Sequence, residues 1–397
     1  AGSAPSGSSR EGPVRIRSLR PGTGRRWLAL LGALCLAGCA APGIRTPAAP
    51  PIALHLDPVI ADGAVTAFEA TLRFQGARDG RTVLQLPDDW GGERALYRSL
   101  DRLRAEGATL EPAVPDQPAR RTLVHAPGAA VTLQWRINPS PQPPKAQGND
   151  YQVRIGPRLF HLLGNAIVIA PQHLPDDTPA RFGLGALPAG QQWASDLEHG
   201  TRGRALRLSD LVDSVIIGGD LRVIDAGGGA RLALHGQVNG RSDAQWQAAF
   251  TAIARAQRAF WQAADEPFLV TVWARAADAP GHVSIGGTGR GDAFAFFATD
   301  NAPAATLDAV LSHEMMHSWV PGRIGGLPDG PAQVLAYWLS EGFTDWAHRA
   351  ALVAGGYWTP RQWIDAVNEQ LGALDRSRVR GADNAQIGAA FWQDPEV

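Results

Sequence analysis

The chain has 397 residues, 45% of them hydrophobic and 19% charged, which is enough apolar material for more than one buried core and excludes a disordered or fibrous polymer. The net charge of −1 is uneven, because residues 1–45 hold seven arginines against one acid, Glu11. The acidic remainder has no basic stripe, which argues against nucleic acid as a partner.

Residues 1–13 are rich in Gly, Ser and Pro, start at Ala1 and are set aside as upstream sequence. Arg25-Arg26 then precede the apolar run Trp27 to Gly38, and Cys39 follows. A cationic start, a short apolar stretch and small residues before a cleavage point make an export signal, so residues 1–38 are upstream residues and signal peptide. Twelve apolar residues are too few for a permanent membrane span. Leu36-Ala37-Gly38-Cys39 resembles the lipobox of bacterial lipoproteins. That resemblance implies cleavage before Cys39, a lipid anchor on Cys39, and a protein held on the periplasmic side of the cell envelope. Ala40, with no aspartate after the cysteine, implies the outer membrane. Cys35 and Cys39 are the only cysteines, so the body has no disulfide framework.

Residues 39–52 form a Pro/Ala linker. From 53 to 238 the pattern is mostly period two. Phe68, Ala70, Leu72 and Phe74 alternate with polar residues, as do Val131, Leu133, Trp135 and Ile137, and short apolar runs follow at 166–170 and 215–217. Turn residues separate these runs, which predicts a β-rich, sandwich-like domain with one short helix near 93–106.

From 239 to 397 the period becomes helical. Ser242 and Gln245 have capping-box spacing, and Trp246, Phe250, Ile253, Phe260 and Trp261 recur at helical steps. Strands are predicted at 268–274 and 293–299, and helices at 304–319, 333–354 and from Thr359-Pro360 to about 375. The fold class is therefore α+β and multidomain.

The helix at 304–319 carries His313-Glu314-Met315-Met316-His317. Residues four apart share a helix face, so both imidazoles can reach one metal ion. Glu314 sits beside the first ligand, where it can take a proton from a metal-activated water. A catalytic zinc site needs a third protein ligand and an open position. Glu341, 24 residues after His317 on the next predicted helix, can supply it once the Gly/Pro-rich loop at 320–332 reverses the chain. Asp345 lies one turn after Glu341 and can accept the second N–H of a ligating histidine.

His-Glu-Met-Met-His-Ser-Trp (313–319), followed by Trp-Leu-Ser-Glu-Gly-Phe-Thr-Asp (338–345), resembles the gluzincin metallopeptidases and, among them, the glycyl aminopeptidase family, a relative of the aminopeptidase N family. The resemblance is specific over 305–375 and looser over 150–397. It implies a β-rich amino-terminal domain followed by a thermolysin-like domain with one Zn2+ per chain on His313, His317 and Glu341, Glu314 as base, and a peptide substrate. It also implies a Gly-rich strand, here Gly286-Gly287, aligning the substrate backbone. Two features depart from that pattern. Arg290 stands near the position of an amine-binding acid, with Asp292 the nearest carboxylate that could replace it, and Tyr357 lies too close to Glu341 to match the expected oxyanion-binding tyrosine. The reading accordingly expects the catalytic domain to be truncated at Val397. The glycines of 286–291 also look like a phosphate loop, but no P-loop lysine follows.

The expectation is an exported, lipid-anchored zinc peptidase of aminopeptidase type. The alternative is a non-catalytic peptide-binding lipoprotein with a structural zinc. Oligomeric state is left open.

Overall fold

A computed structural model gives the fold of residues 52–143, 150–198, 205–327 and 330–390. The export signal, Cys39 and the linker before Ile52 lie outside the described residues.

The amino-terminal half is built on a six-stranded sheet. Its central strands are Ile52–Ala61, Ala64–Gln75 and Ala130–Ile137, with Leu100–Glu106 on one side and Pro179–Leu184 and Leu206–Arg207 on the other. Asp62-Gly63, both at positive φ (52° and 76°), turn the first hairpin, as expected for a two-residue Asp-Gly loop. The alternating apolar residues meet across the sheet. Phe68 pairs with Ile137, Ala70 with Trp135, Leu72 with Leu133 and Phe74 with Val131, and all eight are buried. Two four-stranded sheets complete this half.

Two local expectations change. The helix near 93–106 is only a 3-10 turn, Leu96–Ser99, because Leu100–Glu106 is drawn into an edge strand paired with 130–137. The apolar run 166–170 starts inside a helical turn, Gly164–Ile167, before a two-residue strand at Ala170. There, apolar content reflects burial, and the Trp135 indole N–H donating to the Ile167 carbonyl at 3.1 Å closes the turn.

The second half centres on a mixed five-stranded sheet, in the order Leu221–Gly227, Ala230–His235, Phe268–Arg275, Ala293–Thr299 and Ile285–Arg290. One face, through Leu269, Trp273, Ala295 and Phe297, joins the core of the β-rich half. The other, through Val270, Val272, Phe294 and Phe296, packs under the helices. Burial on both faces explains why these strands read as unbroken apolar runs. Four long helices cover the second face or follow it: α1 (Asp243–Trp261), α2 (Ala304–Met316), α3 (Tyr337–Ala354) and α4 (Pro360–Arg376). The Ser242/Gln245 capping box starts α1, and Thr359 and Gln362 form another at α4. Helix α2 stops at Met316, one turn sooner than the pattern predicts, and α3 is preceded by a 3-10 stretch over 330–336. Among the described residues no helix is long and apolar enough to cross a membrane.

Candidate metal centre

Helices α2 and α3 carry the candidate ligands. The buried amide of Gln257 in α1 donates to the Ser312 carbonyl and hydroxyl at 2.5 and 2.9 Å, and the Trp261 indole N–H donates to the Met316 sulfur at 3.0 Å. These bonds hold α2 from beneath while Leu307, Leu311, Met315 and Met316 pack into the core. The opposite face is left for His313, Glu314 and His317.

The His313 and His317 rings lie 4.9 Å apart and nearly perpendicular. Nε2 of His313 is 3.3 Å from Glu341 Oε2, and Nε2 of His317 is 3.6 Å from the same oxygen. These three residues form a cluster able to hold a metal ion, with ligand atoms all within 4.8 Å of one another. Donors about 2.1 Å from a tetrahedral zinc lie roughly 3.4 Å apart, so the observed spacings suit that ion.

Each donor is aimed by a second contact. His313 Nδ1 lies 2.9 Å from Asp345 Oδ1, and His317 Nδ1 lies 2.9 Å from the Val320 carbonyl. An Nδ1–H donated to either acceptor leaves the Nε2 lone pair facing the shared point. The Ser340 hydroxyl donates to Glu341 Oε1 at 2.9 Å, leaving Oε2 towards the histidines. The sequence reading singles out Asp345, and the structure places it against His313. It does not anticipate Val320, whose backbone carbonyl has no sequence signature, or Thr344, whose hydroxyl donates to that carbonyl at 3.0 Å. It also misses the charges around Asp345. Arg349 donates to its Oδ2 at 3.0 Å, Gln370 of α4 donates to the same oxygen, and His348 Nε2 lies 3.5 Å from Oδ1.

The electrostatics follow this packing. Burial pushes the His313 imidazolium down, but hydrogen bonds to Asp345 and Glu341 outweigh it and hold its pKa up at about 10. His317 is raised too, with burial opposed by its bond to Glu341 and the charge of Glu314. Burial would raise Glu341 and Asp345, yet their bonds to the histidines hold both carboxyls below the usual range. Glu314 moves the other way: burial raises it, and His317 and His313 only partly pull it back.

Glu314, His317 and Glu341 open into a cavity of about 930 Å³ whose far wall comes from the β-rich half, through Trp90 and Tyr151. The edge strand Ile285–Arg290 runs along it. Thr299 N–H donates to the Ser284 carbonyl at 2.9 Å, so by antiparallel alternation the backbone of Gly286, Thr288 and Arg290 faces the neighbouring strand. The backbone of Gly287 and Gly289 faces the other way, and the Gly287 carbonyl accepts from the Tyr151 hydroxyl at 2.9 Å. Of the expected pair Gly286-Gly287, therefore, Gly287 borders the cavity and Gly286 pairs inward with Phe297. Arg290 is buried, with its guanidinium carbon 3.9 Å from the centre of the Trp90 ring. Tyr357, the tyrosine that follows Glu341 in sequence, instead donates to Asp308 at 2.7 Å.

No protein-family model and no curated protein matches the sequence. Solved structures do match the fold. An aminopeptidase N family protein from Idiomarina loihiensis superposes with a TM-score of 0.68 at 15% identity, covering 86% of this chain and 61% of its own. This chain thus spans about three fifths of that neighbour's length. An M1 zinc metallopeptidase from Deinococcus radiodurans matches with a TM-score of 0.47 at 16% identity, covering 87% of this chain and 86% of its own. Yeast LTA4 hydrolase matches at 0.48 and 15% identity, covering 83% of this chain and 52% of its own. The class defined in this way is a fold: a mixed α/β, several-sheet architecture similar to that of the aminopeptidase N family protein.

Proposed function

We propose that this chain is a zinc-dependent peptidase of aminopeptidase-like type, with one zinc on His313, His317 and Glu341 and Glu314 as general base. The observation that carries the reading is the convergence of two imidazole nitrogens and one carboxylate oxygen on a single point at the wall of a large cavity. When bound, zinc supplies Lewis-acid polarisation of a peptide carbonyl and acidifies water. Glu314 accepts the proton of the attacking water and passes it to the leaving amine, a role favoured by a carboxyl pKa raised through burial. Asp345 and the Val320 carbonyl hold the two imidazoles in the ligating tautomer. The edge strand that borders the cavity at Gly287 and Gly289 aligns the peptide backbone.

Metal analysis of the purified protein together with the Glu314→Gln variant tests this. The expected result is one zinc per chain in both proteins, with peptide cleavage lowered in the variant by about 10²–10⁴, the usual contribution of general base catalysis. A protein that binds no zinc, or a variant as fast as wild type, ends the proposal.

We also infer that Cys39 is lipidated and that the protein sits on the periplasmic side of the cell envelope, at the outer membrane, on the strength of Leu36-Ala37-Gly38-Cys39 behind the apolar run. Radiolabelled palmitate should enter the wild-type protein and not the Cys39→Ser variant; equal labelling of both would refute the anchor.

A further inference from the structure

His313 has two ring nitrogens, and the cluster with His317 and Glu341 uses only Nε2. Its Nδ1 faces a second group of donors. Nδ1 lies 2.9 Å from Asp345 Oδ1, and Nε2 of His348, the next turn along α3, lies 3.5 Å from the same oxygen. One donor atom from each of His313, Asp345 and His348 falls within 4.8 Å of the others, the same closeness as in the first cluster. Donors about 2.1 Å from a tetrahedral ion lie roughly 3.4 Å apart, so these spacings also suit an ion.

His348 is hard to account for otherwise. The residue is 2% exposed, its Nδ1 has no hydrogen-bond partner among the described residues, and its Nε2 has only the long approach to Asp345. Its ring packs edge-on against His313 at 5.6 Å and against Trp358 at 6.2 Å. A buried polar ring so poorly hydrogen-bonded is destabilising unless something binds it, and a leucine would fill such a space without that cost.

The surroundings set the strength and the kind of ion. Arg349 donates to Asp345 Oδ2 at 3.0 Å and Gln370 donates to the same oxygen, so Oδ1 is the oxygen left for a cation. The guanidinium repels that cation and makes this position the weaker of the two. Two imidazole nitrogens and one carboxylate oxygen suit a borderline divalent ion such as Zn2+ or Cu2+, whereas Ca2+ and Mg2+ take oxygen ligands.

We propose that His313 Nδ1, Asp345 Oδ1 and His348 Nε2 form a second, weaker site for a divalent transition-metal ion, with His313 as an imidazolate bridge to the ion on His317 and Glu341. Binding of the second ion releases the Nδ1 proton to solvent and turns Asp345 Oδ1 from an N–H acceptor into a metal ligand. Ions on opposite nitrogens of one imidazole stand about 6 Å apart, which leaves room for both. The inference goes beyond the peptidase reading and does not require peptide cleavage.

Equilibrium dialysis against rising Zn2+, with metal analysis of wild type, Glu341→Gln and His348→Phe, tests it. The wild type is expected to saturate at two zinc ions per chain, with the tighter one weakened in Glu341→Gln and the weaker one lost in His348→Phe. A wild type that saturates at one zinc, kept by His348→Phe, overturns the proposal. So does a folded His348→Phe that still binds two. A single zinc kept by Glu341→Gln and lost in His348→Phe would support this site and end the peptidase reading. If His348→Phe does not fold, wild type loaded with Cu2+ decides. An imidazolate bridge couples the two copper spins, so the low-temperature EPR signal should integrate to well below two spins per chain, and two independent copper signals would overturn the bridge and the site.

Discussion

Asp345 Oδ1 lies 2.9 Å from His313 Nδ1, one helix reaching across to orient a donor on the other. The carboxylate is itself held by Arg349, so the pair is a braced support for the imidazole. Replacing Asp345 by Asn keeps the shape and removes the charge. Zinc affinity should fall about 10- to 100-fold, the usual cost of losing such a partner. Competition against a chromophoric chelator measures it, and unchanged affinity would show that Asp345 does not tune the ligand.

The metal-free cluster should release protons when zinc binds. His313 is held up at about 10, so without metal it carries a proton at neutral pH that must leave before it can ligate, and His317 is shifted in the same direction by its bond to Glu341. Zinc affinity should therefore increase with pH through neutrality. Calorimetry in buffers of different ionisation enthalpy should report a net release of protons at pH 7. A binding enthalpy independent of buffer would contradict it.

Gln257 anchors α2 through Ser312 from a fully buried position. The Gln257→Leu substitution leaves the Ser312 carbonyl and hydroxyl without that donor and should lower stability by about 1–3 kcal/mol, the penalty for stranding buried polar groups. Urea unfolding of the two proteins checks it. A variant as stable as wild type would place the support of α2 elsewhere.

Asp196 gives a pH dependence of stability. Burial lifts its carboxyl from 3.8 to about 7, against the opposing Val215 N–H at 3.0 Å and the Ser195 hydroxyl. The folded state then holds this proton more tightly than the unfolded chain. The contribution of Asp196 to stability is whole below pH 3.8, declines as pH rises, and is gone above about 7. Asp196→Asn should remove up to about 4 kcal/mol of that decline between those limits. Denaturation midpoints at pH 4.5 and 7.5 compare the two proteins, and parallel curves would refute it.

Much of this molecule is legible locally. The alternation at 68–74 and 131–137, the capping boxes at Ser242 and Thr359 and the four-residue step from His313 to His317 are statements about neighbours on one strand or helix, and short-range geometry enforces them whatever surrounds them. The choice of Glu341 from sequence needed only a reversal of the chain between two helices. Where local pattern and burial part company, the sequence is ambiguous. An apolar run of five at 166–170 suits either a buried strand or a buried turn, and the turn is held by contacts from distant segments, the Trp135 indole on the Ile167 carbonyl and the Ser214 carbonyl on the Gly164 N–H.

The rest depended on contacts between segments far apart in the chain. The Val320 carbonyl is a backbone group with no residue signature. The hairpin Leu221–His235 joins the five-stranded sheet through parallel pairing with Phe268–Arg275, a strand that follows it only after the whole of α1. Tyr151 reaches Gly287 across 136 residues. Sequence determined which side chains could carry metal chemistry, because ligand type and helical spacing are local. Tertiary packing decided which backbone groups face the cavity, because hydrogen-bond direction at a strand edge follows from register and from what lies across the cleft.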